Sequence, residues 1–448
     1  MNSIVNEKKI KIGAFGAFRG LVLIQSLLVL PEAEVVAVCD KSEAALAQVR
    51  RLADIHGLNI SLYTDFEKFF EHDMDAVVIA NYATEHVPYA VRLLKSGRHV
   101  MSEVPTCETM AQAVELIEAA EQSGKVFTLA ENYCYMDDTF EMRRLYERGD
   151  IGEISYGEGA YIHDQSAQHP LKSAGDPGHW RNNIYSTFYC THAINPLLFI
   201  TGRTPVKVTG FEAATGSLVP HCLGYKGGGA GILMITLDNG ALLRCIVGGF
   251  KREPFEHNLN YIVYGTKGTM ETHSIHDHNI SVYREGAEFC KGTTEDYYPE
   301  RFIAADKAKA FLESAAKVPE IFSAGTLNTQ FHRCGDFYPG YFFIQKILGR
   351  EEGRYAVDVY GAVMTSICGI LAYRSILNGG MPVDIPNLRD PAQRGLFRND
   401  NACTTPAVAG DQLIPSRPGG NTAIDPRVYE YVHRLWEKGE GAKFPPEF

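Results

Sequence analysis

Short apolar runs alternate with helix-patterned runs through residues 1–150, and few folds accept that order. Lys9 to Phe15 reads as a strand, Leu21 to Leu30 as a helix and Glu34 to Asp40 as a second strand. Ala76 to Ala80 is another apolar strand, followed by a helix from His86 to Ser96 and a strand from His99 to Ser102. Strands separated by helices pair in parallel, because each crossover returns the chain to the same end of the sheet. The expected fold is a Rossmann-type, doubly wound α/β parallel sheet. Ligands of such sheets lie beyond the C-terminal ends of the strands.

The first turn carries chemistry. KIKIGAFGAFRG is a strand, a glycine turn and the start of a helix. Such a turn sets backbone N–H groups and a helix N-terminus against a pyrophosphate. Gly16 supplies the tight bend, with Phe18, Arg19 and Gly20 completing the turn; Phe18 stands where a second glycine is usual and Leu21 where a third would be. Asp40 closes the next strand at about the spacing, roughly 20 residues on, that suits a hydrogen bond to a ribose hydroxyl. An acidic group there repels a 2′-phosphate, so NAD is expected over NADP, although Lys41 stands beside it.

Composition narrows the function classes. With 448 residues the chain can bury two full cores. A formal charge of −11 and the absence of a Lys/Arg stripe argue against nucleic acid as a partner. The 10 cysteines include no C-x-x-C pair, and Cys39, Cys245 and Cys368 sit in apolar runs. That suits buried, reduced thiols better than a disulfide framework. MNSIVNEKK has no apolar signal core, and no stretch reads as long and apolar enough to span a bilayer. The expectations are a cytoplasmic location and no membrane partner.

Beyond Asp150 strand-like runs follow one another: Ile154 to Ile162, Val206 to Ala213, Gly231 to Leu237, Ala241 to Val247, Asn260 to Tyr264 and Ile280 to Tyr283. They imply an α+β domain with an open, mostly antiparallel sheet. Gly227-Gly228-Gly229 and Asp238-Asn239-Gly240 are read as hairpin turns. The sheet's exposed face suits a second subunit, so a homo-oligomer is expected. A helical stretch near Val357 to Leu377 would brace the domains, and from Pro386 the composition becomes that of a wrapping tail. The expected boundaries are 1–150 for the NAD-binding domain, 151–385 for a substrate-binding and oligomerisation domain, and 386–448 for the tail.

Two segments of this half concentrate polar rings. In GEGAYIHD, alternation puts Gly157, Gly159, Tyr161 and His163 on one face. Strand glycines mark either close approach by a ligand or backbone, or a bulge beside a core tyrosine. In GHWRNNIYSTFYCTHAINP, His179, Trp180, Arg181, Tyr185, Tyr189 and His192 fall within a short span. Tyr185, Tyr189 and His192 have helical spacing, and Pro196 would end or kink that helix. Phenols, an imidazole and a guanidinium suit sugar hydroxyls and proton transfer. Such a stripe is also what an aromatic core would use.

Together, KIKIGAFGAFRG and LLKSGRHVMSEVPTCET resemble the glucose–fructose oxidoreductase / inositol dehydrogenase / MocA (Gfo/Idh/MocA) family, whose matching strand usually ends Glu-Lys-Pro. In many of those dehydrogenases the lysine contacts the substrate hydroxyl that loses its proton; here the position is Val104, which moves none. The resemblance implies a cofactor shell of Asn81 and His86 in ANYATEHVPYA, Glu103 near the nicotinamide ribose, and Asn132 in LAENYCY. Read without the family, His86 is a helix cap or surface histidine.

Y-x-T-H-x-x-x-P, an upstream A-Y-I-H-D strand and E-N-x-C-Y are similar to the NAD-dependent glycosidases of glycoside hydrolase family 109, which also lack the lysine. That likeness implies oxidation of the sugar at C3, elimination, water addition and re-reduction. Tyr161 matches the base at C2, and His163, Arg181, Tyr189 and His192 match residues lining the sugar site, with His179, Trp180 and Tyr185 beside them as substrate-binding residues. The spacing between the two motifs and Phe18 depart from that group, so a preference for N-acetylgalactosamine is not carried over. The expected partner is a small sugar or glycoside. A net NAD-dependent sugar dehydrogenase or reductase, with His192 or Tyr161 as its acid–base group, is the alternative, and a non-catalytic NAD or sugar sensor is a third reading. HSIHDH, from His273 to His278, follows a strand–turn–strand and is read as a polar hairpin, with no metal site expected.

Overall fold

A computed structural model describes residues 9–163, 168–214, 223–250, 257–273, 279–288, 291–317, 332 and 334–441. The chain forms two compact units, Met1–Thr106 with Glu115–Asp137 and Glu300–Ala362, and Cys107–Val114 with Asp138–Pro299 and Val363–Phe448.

The first unit contains β1 (Ile10–Phe15), β2 (Ala33–Cys39), β3 (Ser61–Tyr63), β4 (Ala76–Ile79), β5 (His99–Ser102) and β6 (Phe127–Leu129). They pair in parallel in the order β6-β5-β4-β1-β2-β3. The order reverses at β1, so its carboxyl end and that of β4 frame the switch point where doubly wound sheets take ligands. Every side chain of β4 is buried, which is why Ala76–Ile79 reads as an unbroken apolar run rather than an alternating one.

The second unit contains β7 (Ile154–His163), β8 (Pro205–Ala213), β9 (Ala230–Leu237), β10 (Leu242–Gly248), β11 (His257–Gly265), β12 (Gly268–Thr272), β13 (Ile280–Glu285) and β14 (Gly292–Tyr297). Two short edge strands, β15 (Val357–Asp358) and β16 (Val383–Asp384), extend the first and second sheets respectively. The second sheet runs β14-β13-β12-β11-β7-β10-β9-β8-β16, antiparallel except where β7 meets β10. The Asp238–Gly240 turn joins β9 to β10 as expected. Gly227–Gly229 is instead the last part of the long β8–β9 connection.

The units do not follow the contiguous boundaries at 150 and 385. Residues 300–362 return to the first unit, where β15 adds antiparallel to β6 and Arg301 grips Asp137 with bonds of 2.8 and 3.0 Å. Residues 386–448 fold with the second unit. There the amphipathic helix Pro426–Glu437 buries Val428, Tyr431, Val432 and Leu435, and His433 Nδ1 pairs with the Ala174 carbonyl at 2.8 Å. The reading that no stretch could span a bilayer is also corrected. The helix Val359–Leu377 is long and apolar enough by length and composition, and 78% of its apolar window is buried in the protein, as in a core helix.

Candidate functional site

The strand ends of the first sheet are stitched side by side. Gly16 N–H donates to the Cys39 carbonyl, Ala80 N–H to Phe15 and Glu103 N–H to Ile79, at 2.8, 2.7 and 2.8 Å. Gly16, Asp40, Asn81 and Glu103 are thereby brought to one edge. Gly16 has φ +99°, and a Cβ there would lie 2.4 Å from the Ala80 carbonyl carbon, so no other residue fits. The helix Gly20–Leu28 starts without a side-chain cap. Among the described residues nothing accepts from the N–H groups of Phe18, Arg19 or Gly20. The Phe18 ring is exposed at this turn.

Asp40 accepts from Ala17 N at 2.6 Å and from Ser42 N at 2.8 Å, which fixes its carboxylate beside the turn. Lys41 lies with its ammonium 4.2 Å above the Tyr82 ring and is held there. Asn81 donates to Glu85 at 3.2 Å, while its buried Oδ1 has no partner among the described residues. An orphaned acceptor at the switch point and a turn of uncommitted donors fit a dinucleotide with hydroxyls to donate and phosphates to accept.

His86 is neither a surface residue nor a simple cap. It is 2% exposed, and its Nδ1 lies 2.9 Å from the Pro105 carbonyl. Burial pushes its imidazole below the ordinary value, so it is neutral at pH 7 and ties the β4 loop to the turn after β5. Arg19 bridges two carboxylates, Glu103 and Asp336, each at 2.7 Å, and Asn132 donates to Asp336 at 2.9 Å. Val104 is buried.

In the second unit the polar rings gather around Tyr161. Its ring centroid lies 4.7 Å from His192, 5.9 Å from His163 and 6.1 Å from Tyr189, and Tyr189 lies 5.4 Å from His192. The Arg181 guanidinium sits 4.3 Å over Trp180 and 5.9 Å from Tyr189. His179 stacks on Trp180 at 5.9 Å and caps the turn Trp180–Asn182 by accepting from Arg181 N. Four of the expected acid–base rings and three of the expected binding residues are therefore neighbours.

Tyr185 is not among them. It stacks on Tyr373 at 4.4 Å with planes 12° apart, and burial pushes its phenol well above the ordinary range. The expected shared helical face fails because the helix begins only at Thr191, so Tyr185 and Tyr189 lie in the preceding turns. Tyr185 packs the core there.

How His192 reaches Tyr161 follows from three residues. A Cβ on Gly159 would lie 2.1 Å from the Ala193 carbonyl oxygen, so the glycine lets the helix Thr191–Thr201 lie directly on β7. Pro196 sits inside that helix without ending it and leaves the His192 carbonyl without its helical donor. The Tyr261 hydroxyl, from the residue paired with Gly159 across β11 and β7, donates to that carbonyl at 2.7 Å. The strand glycine serves approach by backbone.

Residues 10–131 match the family model described as "Oxidoreductase family, NAD-binding Rossmann fold". These residues belong to the Gfo/Idh/MocA oxidoreductase family. The first unit carries an NAD-binding Rossmann fold, and the chain is an NAD-dependent enzyme. Over 407 residues the chain is 25% identical to a glycosyl hydrolase family 109 protein of Solibacter usitatus, covering 84% of this chain and 88% of that one. It is 36% identical over 186 residues to glycosyl hydrolase family 109 protein 3 of Phocaeicola vulgatus, covering 38% of this chain but only 33% of that relative. A levoglucosan dehydrogenase solved with NADH and L-sorbose shares the fold, with a TM-score of 0.65 at 15% identity over 85% of this chain and all of that one.

Outside residues 10–131, sequence reasoning missed Asp336, Tyr261 and Lys172. Asp336 and Tyr261 act through partners distant along the chain, and no local pattern marks them. Lys172, in the short helix His169–Ser173, is half-buried. Burial, and then the Arg181 charge, push its ammonium down to about 7. His169 of the same helix pairs with Asn182 at 2.8 Å, which joins that helix to the turn bearing Arg181. Of HSIHDH only His273 is described, paired with Ser281 at 2.8 Å; the other residues lie outside the described set. Among the described residues no group of three His, Cys, Asp or Glu is arranged to hold a metal.

Proposed function

We propose that this enzyme acts on a carbohydrate at a ring carbinol and, in the full cycle, hydrolyses a glycoside without net oxidation. The observation that carries the reading is the Tyr161–His192 pair, 4.7 Å ring to ring, in a setting that three residues are spent on building. Bound NAD supplies acceptance of a hydride from the sugar C3 and its later return. Oxidation at C3 acidifies the C2 hydrogen, and the Tyr161 oxygen is the proposed base for that proton. His192 and His163, whose rings neighbour that of Tyr161, relay the proton, and Arg181 with Trp180 orients the sugar. Loss of the glycosidic oxygen, addition of water and re-reduction complete the turnover.

The likeness to family 109 proteins and the valine in place of the dehydrogenase lysine support this route over a net dehydrogenase. The test is hydrolysis of a cleaved glycoside in D2O. Elimination and addition place deuterium at C2 of the released sugar, whereas direct displacement at the anomeric carbon retains the original hydrogen.

A further inference from the structure

We propose that Asp336 and Arg19 are positioning residues that fix the Glu103 carboxylate for the half of the dinucleotide opposite Asp40. The inference rests on the cofactor reading and not on which reaction follows. A dinucleotide lies across the switch point of the sheet. Asp40 ends β2 on one side of β1, and Glu103 ends the strand beyond β4 on the other. The two carboxylates therefore serve opposite halves of the ligand.

Both oxygens of the Glu103 carboxylate are held. Its Oε1 accepts from Arg19 Nε at 2.7 Å and its Oε2 from Val104 N at 3.1 Å. The same guanidinium gives Nη2 to Asp336 Oδ1 at 2.7 Å. Asp336 is fully buried, and it is held in turn by Asn132 at 2.9 Å and His332 Nδ1 at 3.0 Å. Burial pushes the Asp336 carboxyl up, yet Arg19 and His332 outweigh it and hold it below the usual carboxylate range.

Buried ion networks contribute little net stability, because desolvation offsets the attraction. What this one does is geometric. Arg19 belongs to the glycine turn, so one rigid fork ties that turn to the end of β5, and a lysine ammonium could not make both bonds in these directions. Asp336 comes from a segment far outside the Rossmann sequence and sets the fork.

The test is calorimetric binding of NAD+ and of ADP, which lacks the half assigned to Glu103, to the full-length protein and its D336N, R19K and E103Q variants. Each variant is expected to raise the NAD+ Kd at least about tenfold, the loss of one charged hydrogen bond, while for D336N and E103Q the ADP Kd stays within about twofold. Adding E103Q to D336N should cost little more, because both remove one arrangement. Equal losses for NAD+ and ADP, or no loss for either, would overturn the proposal. Should D336N prove too unstable to fold, E103Q carries the same comparison of NAD+ with ADP. Failure of the parent protein to bind NAD+ at all would count against the cofactor reading instead.

Discussion

At the scale of single residues, Tyr161 is the decisive side chain. Tyr161→Phe keeps the ring and removes the oxygen, so glycoside cleavage should fall by about 10²–10⁴-fold, the usual worth of a positioned acid–base group. NAD+ binding should be unchanged, as read by calorimetry. Lys172 makes a second prediction, with a definite sign. Its folded-state value, about 7, lies below the ordinary lysine value. The unfolded chain therefore binds the extra proton, and the folded state carries a penalty that is full below the folded value and fades as pH rises towards about 10.4. Lys172→Met should melt above the parent at about pH 6.5 and converge with it near pH 10. A constant gap across that range would show that the penalty is packing and not charge.

At the scale of elements, the strands and the glycine turn were legible because their signals are local. Apolar runs, alternation and Gly16 sit within a few residues of what they build. The docking of the helix Thr191–Thr201 was half legible: Gly159 signalled close approach, but Tyr261 is joined to it only through strand pairing. Tyr185 misled for the same reason, since only its stacking on Tyr373 separates a core ring from a site ring. Tyr261→Phe should remove the hydroxyl that donates to the His192 carbonyl and lower stability by ~1–3 kcal/mol in denaturant melts. It should also cut turnover, because the helix that holds His192 loses its tether. Wild-type turnover in that variant would place the tether outside the site's function.

At the scale of the whole molecule, the interleaved units explain why contiguous boundaries missed. Residues 300–362 carry Asp336 back to the Rossmann unit after eight of the nine strands of the second sheet, with only the edge strand β16 still to come. A sequence read in order has no sign of that return. We propose that the chain forms a homo-oligomer through the face of the second sheet opposite Tyr161. Cross-strand register puts Leu242, Tyr156 and Tyr264 in one row, with Phe211, Ile232 and Ile246 in another on the same face. Phe211, Leu242 and Tyr264 are 49%, 42% and 40% exposed, which is a large apolar area for a sheet face to leave in water. Light scattering during gel filtration should give a dimer or larger for the parent and a smaller species for the F211E/L242E double variant. A monomeric parent would remove the homo-oligomer proposal.

The proposed reaction uses the cofactor first as oxidant and then as reductant within one turnover on a sugar. A panel of α- and β-nitrophenyl glycosides, incubated with NAD+ while nitrophenol release and NADH are followed together, tests it most directly. A redox-neutral glycosidase should release nitrophenol with no net NADH. NADH accumulating in step with substrate, without nitrophenol, would contradict it and make the protein a net dehydrogenase.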